Sequence, residues 1–234
     1  MRPLAATGKY LDGFVSLFYP KTCITCGNVL AGREGTLCVA CMSSLPETGY
    51  HNEGRNPVEE LFYGRLQTEK VMALLFFDKG SRYRKLLYQL KYHDKPEIGI
   101  FLGRLIGSRL SETFTDYDLV IPIPLHKTRL RKRGYNQSAL IAQGIAEILH
   151  IPVREDLLIR KIFNPTQTRK GRYQRWENVE GIFDCPETRP LENKHVLLVD
   201  DVITTGSTLE AAGSCMVNIP GIRISIAAVA YATA

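Results

Sequence analysis

Val196-Leu197-Leu198-Val199-Asp200-Asp201-Val202-Ile203-Thr204-Thr205-Gly206-Ser207-Thr208 decides the fold. It opens with a short apolar, β-branched run, the signature of a strand buried on both faces. Two adjacent carboxylates follow, then a hydroxyl-rich loop around one glycine. Leu209 to Val217 then has helical character. A strand, a polar loop and a helix N-terminus in that order make a phosphate-binding geometry. Free backbone N–H groups converge there, the helix dipole favours negative charge, and serine or threonine hydroxyls add donors. Gly206 can take φ > 0 and lets the backbone approach an anion closely.

The loop holds no lysine and no G-x-G-x-x-G, which excludes a Walker A site and a dinucleotide fingerprint. A carboxylate beside a phosphate cradle repels the anion unless it serves another group. Sugar hydroxyls and Mg²⁺ both fit that role. The ligand implied is a sugar 5-phosphate with free vicinal hydroxyls, and the competing reading is an Asp-Asp turn with a serine-threonine N-cap. Val199 to Thr208 resembles the phosphoribosyl pyrophosphate (PRPP) motif of type I phosphoribosyltransferases. The resemblance implies that Asp200 and Asp201 hold the ribose hydroxyls. It likewise implies that Thr204, Thr205, Gly206, Ser207 and Thr208 hold the 5-phosphate.

The chain has 234 residues, enough for one α/β domain and a small module. With 44% hydrophobic and 23% charged residues it can bury a core of ordinary size. A net charge of +6 favours anionic ligands without choosing between a pyrophosphorylated sugar and a nucleic acid. No apolar run approaches a membrane span. Lys9 and Asp12 interrupt any signal-peptide core, so the expected location is cytoplasmic. In a reducing compartment cysteines serve as metal ligands or core residues rather than disulfides.

An amphipathic helix is expected over Tyr10 to Phe18, ended by Pro20. Cys23-x₂-Cys26 and Cys38-x₂-Cys41 follow, separated by eleven residues that include Gly27. Each knuckle presents two thiolates to one ion, which is tetrahedral-zinc spacing, and four thiolates close the site to catalysis. Such a module is too small for a core of its own, so the metal supplies much of its folding energy. Ser43 to Tyr63 reads as a connector. The boundary is placed near Gly64, giving an N-terminal unit over 1–63 and a second domain over 64–234.

Beyond it, strands are expected over Val71 to Phe77, Asp118 to Ile123, Leu157 to Ile162, Val196 to Val199 and Ile222 to Tyr231. Helices are expected over Arg82 to Tyr92, Ile98 to Leu110 and Ala139 to Leu149. Alternating strands and helices without hairpin signals give an α/β class, a doubly wound, mainly parallel sheet. After Pro122-Ile123-Pro124-Leu125 comes a basic loop, His126, Lys127, Arg129, Arg131, Lys132 and Arg133. Cations at a strand's carboxyl end can neutralise a pyrophosphate. The competing reading is a solvated or nucleic-acid-facing loop. Asn164 to Gly181 is long, polar and cationic, and reads as a lid over an anionic substrate.

Taken in order, these motifs resemble the ComF family. The matching stretches are the four cysteines, Leu90-Lys91-Tyr92, Pro122 to His126, Arg133 to Gln137, Thr166-Gln167, Arg175 with Asn178-Val179, and the Asp200 loop. The resemblance implies PRPP binding with Mg²⁺, a structural Zn²⁺, and a role in DNA uptake during natural competence. The residues expected to touch substrate are Lys91, Leu125, His126, Lys127, Arg131, Arg133 and Arg175, beside the acid pair and its loop. Two classes of function fit. One is a transferase in which Lys127, Arg131 and Arg133 stabilise departing pyrophosphate and the acids favour an oxocarbenium-like centre. The other is a non-catalytic binder of single-stranded DNA or of a partner such as a competence helicase.

Overall fold

The computed structural model describes residues 20–31, 35–78, 80–92, 95–113, 116–161 and 181–232. The expected N-terminal helix, Arg175 and the stretch expected as a lid, apart from Gly181, lie outside them. Six strands and seven helices are labelled in chain order. The strands are β1 (Val71–Phe76), β2 (Leu119–Pro122), β3 (Ile159–Arg160), β4 (Phe183–Asp184), β5 (His195–Ile203) and β6 (Arg223–Tyr231). The helices are α1 (Val39–Ser43), α2 (Pro57–Glu60), α3 (Arg84–Tyr92), α4 (Pro96–Ser111), α5 (Lys127–Arg133), α6 (Gln137–Leu149) and α7 (Ser207–Ser214).

The expected doubly wound sheet is present. Four strands run in the order β1-β6-β5-β2, and every pairing between them is parallel. Side chains alternate along β5 up to the acid pair. Leu197 and Val199 enter one core with Leu102, Ile106, Ile141 and Ile145, whereas Val196 and Leu198 enter the other with Val58, Phe62, Leu209 and Ala212. Helices therefore cover both faces, which is why the strands read as unbroken apolar runs. On the first face α4 and α6 touch backbone to backbone. A Cβ on Gly103 would sit 2.0 Å from the Ile141 carbonyl oxygen, and one on Gly144 would sit 2.2 Å from that of Ile100.

Both sheet edges are covered. Thr48 N donates to Leu74 O (3.0 Å) and Phe76 N to Pro46 O (2.9 Å) along β1, while Val120 N donates to Pro152 O (2.9 Å) along β2. The stretch expected as a connector thus pairs with the sheet, and its Tyr50, Val58 and Phe62 belong to the second core.

Two expectations are corrected. The run from Leu157 does not join the main sheet. Leu157 and Leu158 are both buried, and only β3 forms, pairing antiparallel with β4 as a separate ribbon. Its partner lies more than twenty residues away in sequence, so no short turn signals the pairing. The basic run after Leu125 is a helix rather than a loop. The His126 imidazole caps α5 by accepting from Thr128 N (3.2 Å), and Gly134 ends it in the left-handed conformation (φ 79°). Between the caps, Leu, Lys and Arg are good helix formers.

Candidate sugar-phosphate site and cysteine cluster

Parallel strands bring their carboxyl ends to one side, and Asp200 and Asp201 stand there at the end of β5, half-buried rather than turned into the core. Ser138 Oγ of α6 donates to Asp200 Oδ1 (3.0 Å), and so does the Asp201 amide (2.8 Å). Lys91 Nζ at the end of α3 pairs with Asp201 Oδ2 at 2.8 Å. Burial, and then the adjacent Asp201 charge, push the Asp200 carboxyl up to about 7, against the opposing pull of its hydrogen bonds and of Lys91. A carboxylate pair sharing one nearby ammonium suits neutral donors such as vicinal hydroxyls better than a second anion.

The loop after the acids has the shape an anion requires. Gly206 caps α7 at φ 74°, and no side chain caps the helix there. Among the described residues, no backbone carbonyl accepts from the amides of Thr205, Gly206, Ser207 or Thr208. These are the donors a helix start leaves over. Thr205 Oγ1 and Ser207 Oγ lie 2.8 Å apart, and Thr204, Thr205 and Thr208 are exposed.

Residues that the sequence reading missed hold this loop in place. Phe62 lies under it, so that a Cβ on Gly206 would meet the ring at 3.0 Å. Arg65 Nη1 donates to Thr205 O (3.0 Å) and Leu61 O (2.8 Å), and its guanidinium pairs with Glu210 of α7. A signal was available: Asn56-Pro57 is an N-cap followed by proline at N1, with Val58, Leu61 and Phe62 at helical spacing.

The Arg133 to Ser138 motif acquires a part-by-part account. Arg133 donates to Gln137 Oε1 (2.9 Å) and lies over the Tyr92 ring, 5.5 Å from its centroid. Tyr135 Oη donates to Leu90 O (2.6 Å), which fixes the end of α3 beside Lys91. Asn136 caps α6 and donates Nδ2 to Ile123 O (3.0 Å). On α5, His126, Arg129 and Arg133 are half-buried at i, i+3 and i+7, whereas Lys127, Arg131 and Lys132 are exposed. Leu125 is half-buried at the β2 exit.

At the opposite end of the sheet, His195 bridges Asp116 (Nδ1 to Oδ1, 3.0 Å) and Ser225 (Nε2 to Oγ, 2.9 Å). The contacts follow the order of a hydrolase triad. Ser225 is fully buried, however, so no substrate can reach its hydroxyl and the chain of bonds is structural.

Cys23, Cys26, Cys38 and Cys41 come together with all four sulfurs within 4.8 Å of one another, Cys26 and Cys38 at 3.7 Å. A tetrahedron of Zn–S bonds of about 2.3 Å requires sulfurs about 3.8 Å apart, so the donor set fits that ion. The first knuckle is a small turn, with Cys23 N donating to Asn28 O and Gly27 N to Cys23 O (2.8 Å each) and Gly27 at φ 81°. The second is the start of α1, which Cys38 caps. Burial and the neighbouring sulfurs push the Cys41 thiol up to about 12. At Cys23 burial is outweighed by hydrogen bonds from the Cys26, Cys38 and Thr25 backbone, which bring it down to about 6. Tyr83 Oη, just before α3, donates to Cys41 O (2.8 Å) and ties the second knuckle to the start of that helix.

Residues 136–234 match the phosphoribosyl transferase domain family. The DNA utilization protein YhgH of Escherichia coli O157:H7 is 30% identical over 193 residues, covering 80% of this chain and 80% of that protein. Competence protein ComFC of Bacillus subtilis strain 168 is 29% identical over 199 residues, covering 84% and 78%. The solved adenine phosphoribosyltransferase of Leishmania tarentolae aligns with 80% of this chain and 94% of its own, at 14% identity and TM-score 0.38. Identity of that size, held over four fifths of the chain and of its Escherichia relative, means that this chain belongs to the ComF family, and its main sheet is that of a type I phosphoribosyltransferase.

Proposed function

We propose that the pocket at the end of β5 binds PRPP with its Mg²⁺, and that the chain acts in the uptake or use of incoming DNA. The observation that carries the first part is the pairing of two half-buried acids with four amides uncommitted to backbone acceptors, on one strand-loop-helix unit. The acids accept from the ribose hydroxyls, and the amides and hydroxyls of Thr205 to Thr208 grip the 5-phosphate. Support for the second part is the naming of relatives as DNA utilization and competence proteins. The cysteine cluster holds one structural Zn²⁺ in this reading. Among the described residues no helix is long and apolar enough to cross a membrane.

Transfer of the phosphoribosyl group to an acceptor is the finer proposal. Pyrophosphate leaves C1, and the acid pair favours the positive charge that develops on the ribose. Tyr135 is a poor base for the acceptor, because its hydroxyl is committed to Leu90 O. Calorimetry with PRPP and Mg²⁺ tests the pocket. Asp200→Asn with Asp201→Asn should abolish binding while the fold survives, and unchanged affinity refutes the assignment.

A second reading, a surface that tracks a single strand of DNA, has its own observation. Helix α5 buries no residue, and Tyr88 and Tyr92 stand exposed with ring centroids 5.1 Å apart. Cations interleaved with open aromatics suit an unpaired strand. Charge reversal at Lys127 and Arg131 should weaken DNA binding uniformly across sequences and flatten its salt dependence. An unaltered salt slope excludes that surface.

A further inference from the structure

We propose that Arg65 is the positioning residue that turns the Gly206 amide toward the 5-phosphate, acting through the Thr205–Gly206 peptide. The proposal rests on the pocket being a PRPP site. Arg65 lies in the stretch beside the expected domain boundary, outside every motif that resembles the family.

Three contacts fix Arg65 below the loop. Phe62, Arg65 and Leu66 follow one another at helical spacing, and the Arg65 and Leu66 amides both donate to Phe62 O (2.9 and 3.0 Å). They meet Gly206, Glu210 and Gly213, which follow a similar spacing from the loop into α7. Phe62 lies under Gly206, Arg65 pairs with Glu210, and a Cβ on Gly213 would sit 2.4 Å from Leu66 Cδ2. With its position set in this way, Arg65 Nη1 donates to Leu61 O (2.8 Å) and to Thr205 O (3.0 Å). One guanidinium fork thus holds two carbonyls and a carboxylate, which an ammonium cannot do in the same geometry.

Thr205 O and the Gly206 N–H belong to one peptide unit, and no peptide bond among the described residues is cis. In a trans unit the carbonyl and the N–H point opposite ways. Holding the oxygen down on Arg65 therefore turns the N–H away from the protein floor of the loop. A peptide that precedes glycine can turn over at little steric cost. Its two orientations differ in ψ of the first residue and in the sign of φ at the glycine, as type I and type II turns do. Gly206, at φ 74°, has the positive sign. The opposite orientation would take it to negative φ and aim the Thr205 carbonyl at the phosphate. A donor to the anion would then be replaced by a repulsive acceptor.

The test titrates the full chain calorimetrically with ribose 5-phosphate and measures melting temperature in parallel. R65M keeps the stem without the fork. It should weaken ribose 5-phosphate about tenfold, the population released by one charge-assisted hydrogen bond. R65K, whose ammonium can serve one carbonyl, should recover part of that loss. Glu210 without its partner would also repel a phosphate, so a second readout decides. G206A strains a loop held at positive φ but not one free to turn over. It should therefore lower the melting temperature of the unsubstituted chain more than that of R65M, whereas a mere brace would give equal shifts. Equal shifts, or an R65M affinity within about twofold of the unsubstituted chain, overturn the proposal and leave the pocket reading standing. If the unsubstituted chain binds no ribose 5-phosphate, the pocket reading falls and the proposal with it.

Discussion

The cysteine knuckle and the acid pocket are both announced by short motifs, yet they are built in opposite ways. The knuckle collects its four sulfurs from nineteen consecutive residues, 23–41, and closes them around one point. The pocket takes Asp200 and Asp201 from β5 but depends on Phe62, Arg65, Lys91 and Ser138, which approach from three other parts of the chain. The knuckle adds what it would bind to the edge of the first core, which Cys23, Leu37, Cys38 and Cys41 join, whereas the pocket is held by the core around it. That difference predicts how each should fail.

The largest expected effect is on the knuckle. Chelating the metal, or Cys41→Ser, removes the tie that supplements the few core contacts of Cys23, Leu37, Cys38 and Cys41, a loss of several kcal/mol that should lower the melting temperature by about 10 °C. PRPP affinity at room temperature should change less than stability does, because the knuckle meets the start of α3 whereas Lys91 stands at its other end. A melting temperature indifferent to chelators would mean the knuckle stands without an ion.

Next comes Phe62→Ala. Phe62 is fully buried under the Gly206 loop, and its truncation should cost about 3–5 kcal/mol. Here stability and PRPP affinity should fall together, the reverse of the knuckle's separation, and denaturant unfolding beside calorimetry reads both. A destabilised variant with intact affinity would show that the loop holds its shape without its floor.

Asp200→Asn should produce a stabilisation that depends on pH. The unfolded carboxyl ionises near pH 4, whereas the folded one is held up to about 7. Between those values the folded state holds the extra proton, so wild-type stability falls as pH rises from about 4 to about 7 and then levels off. The amide cannot ionise. Asp200→Asn should therefore match wild type near about pH 4 and exceed it by on the order of 3 kcal/mol near about pH 8. A constant difference across that range would mean that Asp200 ionises normally in the fold.

Gly206→Ala is the smallest change. A left-handed alanine costs about 1–2 kcal/mol, and the added methyl would press on Phe62 at 3.0 Å. Affinity for ribose 5-phosphate should drop more than stability does, since the loop can shift without unfolding the sheet. Equal binding would show that the loop does not need this conformation.

How much of this was legible in the sequence follows from the same contrast. Both motifs were readable because their chemistry is contiguous: paired cysteines in one case, a strand, acids and a hydroxyl loop in the other. The parallel sheet followed from β-branched runs alternating with amphipathic helices. Phe62 and Arg65 were hidden inside what reads as a connector, although Asn56-Pro57 marks a helix start there. The α5 helix reads as a loop because five cations in seven positions mask its two caps, His126 and Gly134. Ser138 meets Asp200 across 62 residues, and nothing local announces a contact of that span.

A crystal structure of the full chain with ribose 5-phosphate tests the central claim most directly. The account places the phosphate within hydrogen-bond distance of the Thr205 to Thr208 amides, with the ribose hydroxyls on Asp200 and Asp201. A phosphate seated elsewhere, with Lys91 still closed on Asp201 and the loop amides facing water, would contradict it.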